Sequence, residues 1–147
     1  MKFLSVDRPW RSDCPINMAV EILGDRWTVI VLRDIMFGDR KTYSELLASD
    51  EAVASNILID RLSSLTCDGI IRKSPDRRPG ARFKYTLTEA GIALLPTLVC
   101  LGEWGGRYLP AAPELKETAH RLYLAGPKGW EKQMQKLRSE HLNLDRQ

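Results

Sequence analysis

Apolar and polar positions fall into register only after residue 13; residues 1–13 carry no periodicity and read as an arm with Trp10 as its one large anchor. Pro15 suits a first helical position, which makes Cys14 the N-cap of a helix whose apolar side is Ile16, Ala19, Val20 and Leu23 and whose end is Gly24. Asp25 can cap a second helix, Arg26 to Phe37. Trp27, Val29, Ile30, Val31, Leu32, Ile35 and Met36 make it apolar almost all round, the pattern of a buried segment. Thr42 with Glu45 three residues on fits a capping box and starts a short helix through Leu46 and Leu47.

About eight residues later comes Ser55 to Leu65, the most informative stretch. Leu58, Leu62 and Leu65 are spaced by four and three and line one side of a helix, while Ser55, Asn56, Ile59, Asp60 and Ser63 point away. Gly69 suits the left-handed turn behind that helix, and Ile70-Ile71 then Arg72-Lys73 open an extended segment. Pro75 to Gly80 is turn chemistry, and Arg82 to Leu87 alternates polar with apolar as a half-buried strand does. Thr88 can cap one last long helix with Ile92, Leu95, Val99 and Trp104 among its inner positions and a bend at Pro96. Beyond Pro110 to Pro113 lie two amphipathic stripes, Leu115/Ala119/Leu122 and Trp130/Met134/Leu137, which cannot be buried by the tail alone.

Helix, turn, helix and basic hairpin in that order predict a mostly α fold with a small β-hairpin wing, a winged helix-turn-helix. The domain reading is an arm at 1–13, a winged domain at 14–110 and a helical extension at 111–147. A chain of 147 residues, 44% hydrophobic and 28% charged, is of ordinary globular composition. Its longest apolar run, Ile92 to Leu101, is too short to span a bilayer, and no signal-peptide block precedes Asp7; a cytoplasmic protein without membrane association is the expectation.

Charge sharpens the picture. The net charge is only +3, but between Arg72 and Lys84 six basic residues face one acid, Asp76, so the proposed wing holds +5 and the rest of the chain −2. A basic hairpin on a slightly acidic body is the footprint of polyanion binding, because phosphate contacts release counterions. Such a run also fits a plain solvated loop, and the groove-sized helix beside it favours duplex DNA as the partner. On this reading Ser55, Asn56, Ile59, Asp60 and Ser63 face the groove, and Asn56 can pair bidentately with adenine, although Asn near a helix start is also a good capping residue. Arg61 either orients Asp60, contacts a phosphate or forms an internal ion pair. Arg77, Arg78 and Arg82 fall to phosphates or the minor groove, and Arg40 and Lys41 to flanking backbone.

Cys14, at a helix N-terminus a few residues after Arg8 and Arg11, lies where the reactive thiolate is favoured, so a redox-sensing role stands beside that of an inert capping thiol. Cys67 and Cys100 read as core filler. A thiol-dependent enzyme is a competing class, but the two histidines, His120 and His141, lie in the tail, and no C-x-x-C, zinc spacing, phosphate-cradling loop or nucleophile elbow occurs. The residues call for no catalytic group, metal or cofactor. A winged helix used only for protein interaction is a third reading. No cluster names a small-molecule effector.

The order Cys14-Pro15, Gly24-Asp25-Arg26-Trp27-Thr28, Ile30 to Asp34, Tyr43-Ser44-Glu45-Leu46, Ile57-Leu58 with Arg61-Leu62 and Leu65, Asp68 to Arg72, Tyr85 to Gly91 and Trp104-Gly105 resembles the HxlR-type winged-helix regulators, relatives of the MarR group. The resemblance covers residues 14 to about 105. It implies a homodimeric, DNA-binding transcriptional regulator paired through its terminal helices, with repression and activation both open; for such a dimer, twofold symmetry makes an inverted-repeat operator the expectation. Some members use a cysteine at the place of Cys14 to sense oxidants, often by bridging subunits. Two departures stand out: Ala54 where members carry a short polar residue, which leaves Ser55 to serve as the cap, and Lys84 where an acid is common. Nothing after Pro110 is covered.

Overall fold

The computed structural model describes Leu4 and residues 6–142, so residues 1–3 and 5 of the expected arm and 143–147 of the expected tail lie outside the described residues. The chain divides into two compact units with the boundary after Gly91.

In the first unit, α1 (Pro15–Leu23), α2 (Thr28–Met36), α3 (Tyr43–Leu47) and α4 (Ser55–Cys67) precede an antiparallel hairpin of β1 (Ile71–Pro75) and β2 (Phe83–Leu87), and α5 (Glu89–Ile92) follows. Leucine spacing fixes α4: Leu58, Leu62 and Leu65 are each at most 2% exposed, and α4 packs on α2, α3 and β1, whose Val31, Leu32, Ile35, Leu46 and Ile71 are likewise buried. Each such leucine contributes about 1.5–3 kcal/mol by leaving water, so rotating α4 about its axis would cost all three at once. The outward face of α4 is therefore held fixed by its inward one.

The capping box forms as expected: the Glu45 N–H donates to Thr42 Oγ1 at 3.3 Å and the Thr42 N–H to Glu45 Oε2 at 2.9 Å. Pairing runs Ile71 to Leu87, Lys73 to Tyr85 and Pro75 to Phe83. The hairpin is tied to the rest of the unit at its middle and at its base. The Tyr85 N–H donates to the Lys41 carbonyl at 2.7 Å, and Thr88 Oγ1 lies 2.7 Å from the Gly69 carbonyl and accepts from the Gly91 N–H at 3.2 Å. Gly91 has no room for a side chain, since a Cβ there would come within 2.3 Å of the Ile70 carbonyl oxygen, and Gly69 at φ +73° makes the turn from α4 into β1.

In the second unit, α6 (Leu95–Tyr108), α7 (Pro113–Leu124) and α8 (Gly126–His141) pack on one another. The expected single helix from Thr88 bent at Pro96 is instead two: α5 stops at Ile92 and Pro96 sits in the first turn of α6. There its missing N–H has no intrahelical acceptor to lose and its fixed φ suits a helix start. Leu95, Leu98 and Val99 are buried, but Trp104, expected inside, is 55% exposed. The inward row continues from Val99 to Glu103, so Trp104 falls one residue past it and stacks tilted on Tyr108 at 5.7 Å between centroids. Of the tail stripes, Leu137 is buried, Trp130 Nε1 donates to the Leu122 carbonyl at 2.8 Å, and Leu115 stays 65% exposed. No helix among the described residues is long and apolar enough to cross a membrane.

Candidate nucleic-acid interface

Ser55, Asn56, Ile59, Asp60 and Ser63 are all exposed on α4, Ser55 at one flank and the others turned further from the three leucines. The Asn56 side chain has no hydrogen-bond partner among the described residues. Ser55 is not the cap: Ala54 holds the N-cap position without a side-chain bond, and the Ser55 hydroxyl instead meets the hydroxyl of Tyr43 from α3. The two helices of the helix-turn-helix are thus joined by a side-chain contact at the very start of α4.

Arg61 is an ion-pair partner inside the protein, bound to Asp60 and, at 3.1 Å, to Asp25 Oδ2. Asp25 does two jobs. It accepts from the Trp27 and Thr28 N–H groups at 2.8 and 3.0 Å and from the Thr28 hydroxyl, capping α2, and through Arg61 it links α2 to α4. Burial alone would raise its pKa, but the Thr28 hydroxyl, the two amides and Arg61 outweigh that and hold it below the usual carboxylate range.

The hairpin separates its arginines. Arg78 is tied to Asp76 at 2.8 Å and reaches Glu45 of α3 at 3.6 Å, and that pairing keeps the Asp76 carboxyl low. The guanidinium groups of Arg77 and Arg82 are exposed with no partner among the described residues, although the Arg82 carbonyl accepts from the Asp76 N–H at 3.1 Å. Lys73 lies over the Phe83 ring, 4.2 Å from its centroid. Between α3 and the hairpin runs a groove of about 420 Å³ lined by Tyr43, Glu45, Arg78, Arg82 and Phe83 among others. Arg40 is turned toward buried Asp34 at 3.6 Å, and Lys41 pairs with Asp39 at 2.8 Å, so both flanking cations already have carboxylates.

The turn between α3 and α4 has its own clamp, which sequence reasoning missed. Arg33 of α2 bridges buried Asp34 at 2.7 Å and Glu51 at 2.6 Å, and the Ser49 hydroxyl donates to Glu51 at 2.6 Å. The Arg33 guanidinium holds the Glu51 carboxyl down to about 2. Next to it Ala52 takes a left-handed φ of +53°, and buried Val53 anchors the chain before α4 begins.

All three cysteines are free and exposed. For Cys67 and Cys100 this corrects the expectation of core filler: the inward rows of α4 and α6 pass through Leu65 and Val99, which leaves each thiol outside. Cys14 is the N-cap of α1, as its proline predicts. Arg8 and Arg11 are occupied elsewhere, Arg8 with Asp68 at the end of α4 and Arg11 with Glu21 at 3.0 Å. Among the described residues no group of histidine, cysteine and carboxylate side chains could hold a metal.

A helix pair of this geometry, with one helix presenting a small polar face beside an arginine-bearing hairpin, defines a winged helix-turn-helix. The HxlR-like helix-turn-helix profile matches residues 22–113, and the chain belongs to that family of transcriptional regulators. An uncharacterised HTH-type transcriptional regulator of Mycobacterium tuberculosis is 35% identical over 107 residues, 71% of this chain and 66% of that relative, so the match spans slightly less than two thirds of the relative's length. Among solved structures, PA1607, assigned as a transcription factor, shares 33% identity with a TM-score of 0.62 over 71% of this chain and 70% of that one. The redox regulator HypR in its reduced form shares 25% identity with a TM-score of 0.56 over 63% and 91% of the two chains.

Proposed function

We propose that the protein acts as a homodimer that sets α4 in the major groove of an inverted-repeat operator and lays its hairpin along the adjacent backbone. The observation that carries this reading is the division of α4: three leucines at most 2% exposed on one side, five groove-compatible residues exposed on the other. Asn56, unpartnered near the helix start, is the base reader, and Ser55, Ile59, Asp60 and Ser63 complete the surface, with Arg61 orienting Asp60. Arg77 and Arg82 meet phosphates directly; Arg78, Arg40 and Lys41 shape the backbone-facing side through their carboxylate partners. Apolar surface supports the second copy: Ile16 and Val20 of α1 are 75% and 50% exposed, and Leu101, Trp104 and Tyr108 of α6 are more than half exposed. A twofold pair would place its two α4 helices about 34 Å apart, one turn of duplex. Footprinting upstream of the gene itself tests this: two protected half-sites related by inversion are the expected result. Failure to bind even random duplex at low salt would leave the protein-interaction alternative.

A redox switch at Cys14 is the second part of the reading. It rests on an exposed thiol at the start of a helix with an uncovered apolar side, together with the likeness to a redox regulator. Two Cys14 thiols, one from each copy, would give two electrons and two protons to an oxidant such as diamide and join as a disulfide. Loss of DNA binding on diamide treatment, restored by dithiothreitol and absent in Cys14→Ser, is the expected behaviour; a serine variant that remains equally sensitive refutes it.

A further inference from the structure

One cation near α4 has no assigned role. Arg26, in the junction between α1 and α2, is exposed and has no partner among the described residues. It lines a shallow cleft with Asp25 and Trp27 on one wall and Asn56, Asp60 and Arg61 of α4 on the other. Both carboxylates of that cleft are already bound by Arg61, and the first amides of α2 are taken by Asp25. The Arg26 guanidinium is thus the one cation there without a carboxylate partner among the described residues.

Its position on the α4 cylinder gives it meaning. At about 100° per residue, Ser55 lies on one flank of the outward face and Ile57 and Arg61 on the other. Ser55 touches Tyr43, which lines the groove beside the hairpin, whereas Ile57 and Arg61 line the Arg26 cleft. The hairpin and Arg26 therefore stand on opposite flanks of the same helix. A helix about 10–12 Å across fills a major groove about 12 Å wide, and the groove is walled by the phosphates of both strands. A hairpin on one flank leaves the other wall with only Arg61, whose charge is already taken by Asp25 and Asp60, unless Arg26 supplies a cation.

We propose that this cleft is a backbone-phosphate site in which Arg26 binds the strand on the side of α4 away from the hairpin. The inference rests on the DNA-binding reading above. Arg26 contributes grip and angle of entry, not sequence choice, because phosphate contacts are the same at every base pair. It also gives Asp60 a neighbour that offsets its repulsion of the backbone.

The test uses the full-length protein, Arg26→Gln, Arg26→Lys and Arg77→Ala, with a footprinted operator fragment and a random duplex of equal length. Binding is followed by fluorescence anisotropy from 50 to 200 mM salt, with hydroxyl-radical footprints on each strand. Arg26→Gln should lower the slope of log affinity against log salt by about 0.9, a change of about 3.5-fold across this fourfold range of salt. The affinity loss should be equal on both duplexes, and Arg26→Lys should restore the slope. The Arg26→Gln footprint should lose protection on one groove wall only, and that of Arg77→Ala on the other. An unchanged Arg26→Gln slope with a normal Arg77→Ala response overturns the Arg26 site and leaves the DNA-binding reading standing. Wild-type protein that binds neither duplex at 50 mM salt overturns both.

Discussion

Replacing Glu51 by Gln tests whether the turn of the helix-turn-helix is held by charge. Glu51 accepts from both Arg33, at 2.6 Å, and the Ser49 hydroxyl, at 2.6 Å, so an amide of the same shape keeps the packing and removes the charge. A carboxyl held near 2 instead of 4.5 would correspond to about 3 kcal/mol in a site sealed from water. The side chain is 38% exposed, however, and solvent screening brings the expected loss to about 1 kcal/mol, or about 4 °C in melting temperature. Arg33 keeps Asp34 at 2.7 Å in the variant, which bounds the loss from above. Because the folded pKa lies below the unfolded one, the contribution is complete above about 4.5 and fades as the pH falls toward 2. Urea unfolding of both proteins at pH 6 and pH 3.3 reads this directly: the wild type should lead by about 1 kcal/mol at the first and by clearly less at the second. A gap of the same size at both values would show that the carboxylate charge is not what the clamp uses.

Four other outcomes follow from the geometry. Arg77→Ala with Arg82→Ala should reduce the salt slope by about 1.8, whereas Arg78→Ala should change it by less than one contact, since Arg78 already shares its charge with Asp76; equal slopes for all three would contradict the division seen in the hairpin. Asn56→Ala should cost about 1–3 kcal/mol on the operator and almost nothing on random duplex, and equal losses on both would remove it as a base reader. Ala52→Gly relieves a left-handed alanine and should stabilise by up to about 1 kcal/mol after the extra freedom of the unfolded chain is subtracted; a lower melting temperature would refute it. Leu58→Ala, at a position 0% exposed, should cost about 2–5 kcal/mol in chemical unfolding, far more than Ile59→Ala one residue away.

Local rules made the fold readable. The Thr42 box, the 58/62/65 leucine spacing and the hairpin turn each depend on residues within a few positions of one another, and all three appear in the structure. What could not be read was which charge finds which. Arg61 to Asp25 and Arg33 to Glu51 join elements far apart in sequence, and no spacing rule announces them. Apolar stripes have a similar limit: Trp104 lies near the end of a plausible row, yet the row closes on Glu103, which is engaged by Arg107 at 2.7 Å and His120 at 3.1 Å. The cysteines misled because a small apolar side chain a residue or two off an inward position looks the same in sequence as one that is on it. For the interface itself, exposure of the outward α4 residues was legible and an internal ion pair for Arg61 was one of the open readings, whereas the internal engagement of Arg40, Lys41 and Arg78 was not.

The bond from the Tyr85 amide to the Lys41 carbonyl, at 2.7 Å, pins the second strand of the hairpin to the chain entering α3. Reader and outrigger therefore move as a single caliper whose jaw width is set before any duplex arrives. Such a tool loses little chain freedom on closing, so its association heat capacity should reflect dehydrated surface alone, without the larger signature of a segment that orders on contact. It also makes spacing a matter of rigid dimensions: duplexes whose groove is too narrow for the gauge would be turned away by shape before any base is read.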